Sequence, residues 1–406
     1  MTGWTTKPIS EVIVRSGTID PRKAPEEPFK YVDVSSISNQ TFEIVEASEM
    51  LGKDAPSRAR RHIQAGDVLF ATIRPTLRRI AVVPEELDGQ VCSTGYFVFR
   101  TKPEVDGRYL FYYLFSDAFM GAMETLQSGA SYPAVNDSQV RQQQISLPPL
   151  PEQKRIVAIL DEAFAGIDAA VANTEKNLAN ARELFESYLN AVFTQKGDGW
   201  VEKKLGELGK AQTGSTPKTS NRGNYGNFIP FIKPADFKRD GSLDYENQGL
   251  SEEGLGSARK IDEGSVLMVC IGATIGKCGW SSRDVTTNQQ INTLTAADGV
   301  SHKFVYYQIL TGNFQGRVLS NAGQATLPII NKSKWCALKI WLPQNINDQI
   351  SIVEKLDTLQ SETQLLETLY QQKLSALTEL KQSILQKAFA GELTSLPEKT
   401  VEEAVA

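Results

Sequence analysis

Along residues 151–193, apolar or small side chains return every three or four positions, at Ile156, Leu160, Ala163, Ile167, Ala170, Leu178, Ala181, Phe185, Tyr188 and Val192. That spacing puts them on one stripe of an α-helix. Pro151 opens the stretch, where a first helical turn tolerates proline, and no other proline interrupts it. A helix of this length would run roughly 65 Å and needs a partner along its stripe, because helix propensity alone is marginal in water. Residues 346–389 supply that partner: they are proline-free and carry Ile352, Leu356, Leu359, Leu366, Leu369, Leu377, Leu380 and Ile384.

The two stretches also match residue by residue. Glu152-Gln153 pairs with Asp348-Gln349, Ile156-Val157 with Ile352-Val353, and Leu160-Asp161 with Leu356-Asp357. Leu184, Leu189 and Phe193 pair with Leu380, Leu385 and Phe389, and Gly3-Trp4 with Gly199-Trp200, every pair 196 positions apart. One offset recurring from Trp4 through both helices indicates an internal duplication: a globular module followed by a long helix, twice.

The predicted organisation is therefore α/β. A first globular domain spans 1–150, a long helix 151–198, a second globular domain 199–345, a second long helix 346–390, and a tail 391–406 whose acidic end, residues 400–406, is expected to fray. In the first domain, residues 12–14, 30–37, 68–73 and 80–83 read as short strands between Gly and Pro turns, and the aromatic run 109–119 as a short helix. The second domain echoes these pieces. Gly264-Ser265-Val266-Leu267-Met268 answers residues 66–70, and Pro328, Asn331 and Ser333 answer Pro133, Asn136 and Ser138. Between such islands the two domains diverge, which suggests one frame carrying two binding surfaces.

Charge refines this picture. The chain carries a net −5, yet residues 199–345 hold 17 basic against 12 acidic residues, while 346–406 hold 5 against 10. Local fields rather than the total steer a polyanion, so the basic second domain is compatible with DNA. Acidic residues on the helices are expected on solvated faces. No apolar run is long enough for a membrane span and no basic-then-apolar leader opens the chain, so a cytoplasmic location is expected. Four cysteines without CxxC spacing and two histidines, His62 and His302, argue against a zinc site or a disulfide framework.

Catalytic constellations are missing. Gly272-Ala273-Thr274-Ile275-Gly276-Lys277-Cys278 approaches a phosphate-binding loop but is one residue short between its glycines, with Cys278 where Ser or Thr would hold magnesium. A tight strand-to-strand turn is the better reading. Its counterpart, Arg74-Pro75-Thr76-Leu77-Arg78-Arg79, has no glycine at all. Binding residues are easier to find. Arg58, Arg60, Arg61, Arg74, Arg78 and Arg79 flank one predicted strand and suit bidentate contact with guanine edges or phosphates. In the second domain Lys218, Arg222, Lys233, Lys238, Arg239 and Lys277 are candidates by the same logic, with Asn221, Asn224, Gln324 and Asn331 able to read base edges.

Taken in order, these motifs resemble those of the specificity subunits of type I restriction–modification systems. The resemblance rests on Leu147-Pro148-Pro149-Leu150-Pro151-Glu152-Gln153 leading into residues 156–161, and on Leu342-Pro343 with Asp348-Gln349 leading into 352–357. The second domain adds Thr213-Gly214-Ser215-Thr216-Pro217, Ile229-Pro230-Phe231-Ile232-Lys233-Pro234-Ala235-Asp236 and Thr274-Ile275-Gly276-Lys277. The first domain departs from this pattern, with Ser16-Gly17-Thr18 and Pro21 in place of the Gly-Ser-Thr-Pro segment and arginine-rich sequence in place of the Ile-Gly-Lys turn.

The resemblance implies two target-recognition domains held apart by two antiparallel helices in a pseudo-twofold arrangement, each domain reading one part of a split, asymmetric double-stranded DNA target through the major groove. It implies a non-catalytic chain with no cofactor or metal of its own. Two modification subunits would methylate adenine N6 with S-adenosylmethionine, and two motor-nuclease subunits would use ATP and magnesium. Two other readings stay open on the residues alone. One is a DNA-binding scaffold or regulator outside restriction, which would lack a methyltransferase-sized partner. The other is a coiled-coil protein whose modules bind protein or sugar, which would lack the salt dependence of a DNA binder.

Overall fold

The computed structural model describes residues 3–323 and 327–394. The expected tail end at 400–406 and the candidate Gln324 lie outside the described residues. Two compact units emerge, one taking the chain up to Asn173 together with the part from Lys373, the other Thr174–Gln372. Each unit holds one globular domain and a portion of both long helices, Leu150–Gln195 and Ile346–Phe389.

In the first unit an antiparallel sheet orders Ile13–Val14, Tyr96–Thr101, Val68–Ala71 and Ile80–Val82. It is buried on both faces, so alternate residues serve two cores. Val68, Phe70, Phe97 and Phe99 face the helices Gly107–Tyr113 and Asp117–Leu126, while Leu69, Ala71, Tyr96 and Val98 face a second sheet. That second sheet orders Ser48–Leu51, Pro28–Val32, Val91–Ser93 and Ala59–His62, with a parallel pair at its centre. A two-stranded ribbon, Thr5–Pro8 against Gln144–Leu147, ties the domain's beginning to its end.

The second unit repeats the plan. Gly209–Thr213, Ile291–Ala296, Ser265–Val269 and Cys278–Trp280 form the central sheet. Val266, Met268 and Leu294 serve one core and Leu267, Val269 and Ile291 the other. Phe231–Ile232 again runs parallel to its neighbour, Val285–Thr287, and Trp200–Lys204 pairs with Lys339–Pro343 as the closing ribbon.

The long helices belong to these cores. In the first unit Ile156, Leu160, Phe164 and Ile167 pack with Leu385 and Ala388, and the Phe389 ring meets Tyr109 and Tyr113 edge-on. In the second, Leu189 and Phe193 pack with Val353 and Leu356, and Phe193 meets Phe304 and Trp200. The matched residues Phe193 and Phe389 thus do the same job in different units.

The buried glutamines are the clearest expression of the repeat. The Gln153 side-chain carbonyl accepts from the Asp106 N–H at 2.8 Å, and its amide donates to the carbonyls of Glu104 (3.2 Å) and Pro148 (2.9 Å). Gln349 accepts from the Ser301 N–H at 2.9 Å and donates to Gly299 (3.3 Å) and Pro343 (2.9 Å). Asp106 and Ser301 cap the helices Gly107–Tyr113 and His302–Leu310, so each glutamine locks the start of a long helix to a domain helix.

Three expectations are corrected in detail. The run 109–119 is not one helix: the first ends at Tyr113, and Ser116 caps the next, its hydroxyl accepting from the Phe119 N–H. Residues 12–14 are not all strand, since Val12 closes the short helix Ile9–Val12. Helix carboxylates are not all on solvated faces either. Asp161 holds Arg108 at 2.7 Å and the Tyr112 hydroxyl, and Asp357 holds Lys303 at 2.7 Å and the Tyr307 hydroxyl at 2.6 Å. Burial, then the Asp161 contact, pushes Tyr112 up to about 12, so the phenol stays a donor. Glu367, with its side chain only 12% exposed, binds Arg182 and Arg239.

Candidate nucleic-acid interface

In the first domain, backbone hydrogen bonds gather separate loops at one end of the central sheet. Thr72 N–H donates to Gly95 (2.9 Å), Val135 N–H to Thr72 (3.0 Å), Arg74 N–H to Pro133 (2.7 Å) and Thr94 N–H to Arg58 (2.9 Å). Arg79 adds a side-chain bond to the Val34 carbonyl at 2.9 Å. Gly95 allows this close approach, since a Cβ there would sit 2.4 Å from Val34 Cγ2 and force that side chain to shift.

The six arginines divide on this platform. Arg60 pairs with Asp20 at 2.9 Å, Arg61 grips both oxygens of Asp137 at 3.0 and 2.9 Å, and Arg79 is held by Val34. Their charges are partly spent inside the domain. Arg58 is exposed and Arg78 half-buried, and neither makes an ion pair among the described residues. Arg74, also exposed, stacks its guanidinium 4.9 Å from the centre of the Tyr132 ring.

The turn carrying Arg74 and Arg78 joins Val68–Ala71 to Ile80–Val82, as its counterpart joins Ser265–Val269 to Cys278–Trp280. Residues 272–277 therefore lie in a tight strand-to-strand turn that leads into the strand at Cys278, as expected. Gly272 and Gly276 take left-handed backbone with φ of 98° and 90°, and Arg74 and Arg78 occupy the equivalent places with φ of 50° and 53°. Left-handed backbone costs a side-chain-bearing residue about 1–2 kcal/mol, and such strain concentrates at functional sites. Cys278, at the magnesium position of a phosphate loop, is buried, and burial pushes its thiol well up. The same cause holds Cys92 at about 12 and Cys270 at about 11.

In the second domain the equivalent loops converge through Gly272 N–H to Pro328 (3.0 Å), Ile330 N–H to Cys270 (3.0 Å), Asn288 N–H to Ile232 (3.2 Å) and Ser215 N–H to Thr287 (2.9 Å). Lys277 reaches the Pro234 carbonyl at 3.5 Å, which brings it to the segment headed by the exposed Lys233. Lys218 and Arg222 are exposed on the neighbouring loop. Lys238 and Arg239 lie on a different turn, and Arg239 is turned onto the long helix, 2.5 Å from Glu367. Three asparagines expected to read bases have structural work: Asn221 and Asn331 cap short helices, and buried Asn224 donates to Lys218. Sequence reasoning missed the residues just before the two matched prolines, Tyr132 and Leu327, which are 70% and 52% exposed. Pro133 and Pro328 were the available signal.

Among the described residues no group of three or more His, Cys, Asp or Glu could hold a metal ion, and no helix is long and apolar enough to cross a membrane. Burial first, then Lys303, lowers the pKa of His302.

The model of the type I restriction modification DNA specificity domain matches this chain twice, over residues 1–178 and 197–374. The chain belongs to that family. The repeated match coincides with the duplication read from the 196-residue offset. Among curated relatives of the specificity subunit, that of the HindI enzyme of Haemophilus influenzae is 24% identical, aligned over 89% of this chain and 94% of its own. A chain from a structure concerned with complex assembly and conformational transition of the type I R-M system is 32% identical, with a TM-score of 0.86, covering 97% of this chain and 99% of that one. The HsdS subunit of Thermoanaerobacter tengcongensis is 31% identical, with a TM-score of 0.66, covering 97% and 98%. The specificity subunit is thus mixed α/β, duplicated, and of a non-catalytic kind.

Proposed function

We propose that the two globular domains, 1–150 and 199–345, each read one half of a gapped, asymmetric DNA target. The carrying observation is that one frame, fixed by matched glutamines, caps and hairpins, presents two different sets of loops. Arg58, Arg74 and Arg78 serve the first half-site, and Lys218, Arg222, Lys233 and Lys277 the second. Direct base readout depends on such side chains, so different loops imply different half-sites. The long helices act as a spacer whose length limits the unread gap.

Catalysis belongs to partner subunits in this reading. Two modification subunits bring S-adenosylmethionine for adenine methylation, and two motor-nuclease subunits bring ATP and magnesium. Sequencing of methylated adenines in host DNA, with and without the gene, tests the proposal. Deletion should erase a single gapped, asymmetric motif, and an unchanged map under expressing conditions would reject it. Exchanging residues 1–150 for those of a relative should then alter one half of the motif only.

The second unit's helix surface suits a docking partner. Leu184, Leu365 and Leu369 are exposed there beside exposed Glu175, Glu183 and Glu186. Reversing the charge of those three glutamates should weaken co-purification of the modification subunits and make what remains less salt-sensitive. Unchanged assembly would remove the acidic face from the docking surface.

A further inference from the structure

The domains differ most in their loops, yet at one equivalent loop position both hold a large apolar side chain in solvent. Tyr132 in the first domain is 70% exposed and Leu327 in the second 52%. Each precedes the proline whose carbonyl accepts from the hairpin turn: Arg74 N–H to Pro133 at 2.7 Å, Gly272 N–H to Pro328 at 3.0 Å. Each lies close to backbone tied by hydrogen bonds. Ser128 and Ala134 exchange backbone bonds at 3.0 and 2.9 Å around the Tyr132 tip, and Ile73 bridges to Ala134. In the second domain Gly323 N–H donates to Ile329 at 3.3 Å, and Ile271 bridges to Ile329.

A single exposed apolar side chain is ordinary on a protein surface, but its recurrence at the same place in both domains, beside the hairpin turn, sets this pair apart. Its surroundings indicate what. Arg74 lies over the Tyr132 ring, with Arg78 on the same turn. Leu327 lies beside the turn that carries Lys277, since a Cβ on Gly272 would touch its Cδ1 at 3.8 Å. Apolar tips among cations are how many DNA-binding proteins open a base step.

On the reading that these loops meet DNA, we propose that Tyr132 and Leu327 are wedges, one per half-site, that press into a base step and unstack it. A residue at that place lowers the cost of extruding a neighbouring base for a partner's chemistry, because unstacking is part of that cost. The arginine or lysine beside each wedge holds the backbone of the opened step.

The test uses the complex assembled with its modification subunits and a duplex carrying the motif found by methylation mapping. 2-Aminopurine is placed in turn at each position of both half-sites. Binding should raise its fluorescence several-fold at one step in each half-site. Tyr132→Ala should abolish the rise in the first half-site alone and Leu327→Ala in the second alone, each weakening binding about tenfold, the scale of one lost base stack. Tyr132→Phe should keep the rise.

Wild-type complex that binds without any rise would overturn the wedges and leave DNA reading intact. So would alanine variants that bind and brighten as the wild type does. Failure of the alanine variants to assemble without DNA would reassign both side chains to a protein partner and end the inference. A wild-type complex that ignores the duplex would overturn the DNA reading and the wedges with it.

Discussion

Arg74→Gly combined with Arg78→Gly is expected to give a protein that unfolds later in urea yet holds DNA about a hundredfold more weakly, a loss near 2.7 kcal/mol. The stability gain follows from the backbone. Both arginines have left-handed φ, 50° and 53°, where the second domain has Gly272 and Gly276 at 98° and 90°. Relief of about 1–2 kcal/mol at each site is offset by the extra freedom glycine gives the unfolded chain, which leaves a net gain of about 1 kcal/mol for the pair.

The binding loss comes from removing two guanidinium contacts, each worth about 1–3 kcal/mol at a base or phosphate. The slope of log affinity against log salt should fall by about 2 if both contacts are to phosphates. Arg74→Asn with Arg78→Asn separates the two effects, because asparagine tolerates left-handed backbone without supplying charge. A stabilised variant with wild-type affinity would show that these arginines do not touch DNA.

Gln349→Ala is expected to destabilise the second unit by about 3 kcal/mol, because three buried backbone groups lose their partner at about 1–3 kcal/mol each, partly recovered by entering water. The groups are the Ser301 N–H and the carbonyls of Gly299 and Pro343. Gln349→Glu should be worse at neutral pH. It keeps the acceptor for Ser301 but turns its second oxygen, in place of the amide nitrogen, toward the two carbonyls, which raises its folded-state pKa above the unfolded value. The unfolded state then releases its proton first, so the penalty grows as pH rises through the carboxylate range and shrinks in acid. Gln153→Ala should do the same to the first unit through Asp106, Glu104 and Pro148. Urea midpoints across pH, read with a probe in each unit, would check this. Equal effects of either substitution on both units would contradict the assignment of one lock to each.

The matched glutamines show what sequence could reveal. Gln153 and Gln349, like Asp161 and Asp357, stand 196 positions apart because each long helix repeats the same contacts with its domain, so packing wrote the repeat into residue identities. Asn136 and Asn331 survive for a similar reason, each capping a short helix by accepting from the third backbone N–H. The second sheets left no such trace. Phe231–Ile232 is two residues long and exists only through parallel pairing with Val285–Thr287, far along the chain. A two-residue strand has no periodicity to read.

Side-chain commitments were equally hidden. Arg61 and Asp137 are 76 residues apart, and nothing local distinguishes Arg61 from Arg58, which makes no ion pair among the described residues. Arg239 looks like any loop cation until Glu367 is seen against it. The left-handed arginines could have been anticipated, since aligning residues 74–78 with 272–276 sets Arg opposite Gly twice.

The first unit is discontinuous, and that orders its assembly during synthesis. Its core includes Leu385 and Ala388, with Phe389 against Tyr109 and Tyr113, yet these residues follow Asn173 only after the whole second unit has been made. At about 5–20 residues per second the ribosome needs roughly 10–40 s to bridge that interval of about 200 residues. Of the two units, the one begun earlier is thus completed later, and a chain ending prematurely near residue 372 would damage the domain that was made before the second unit.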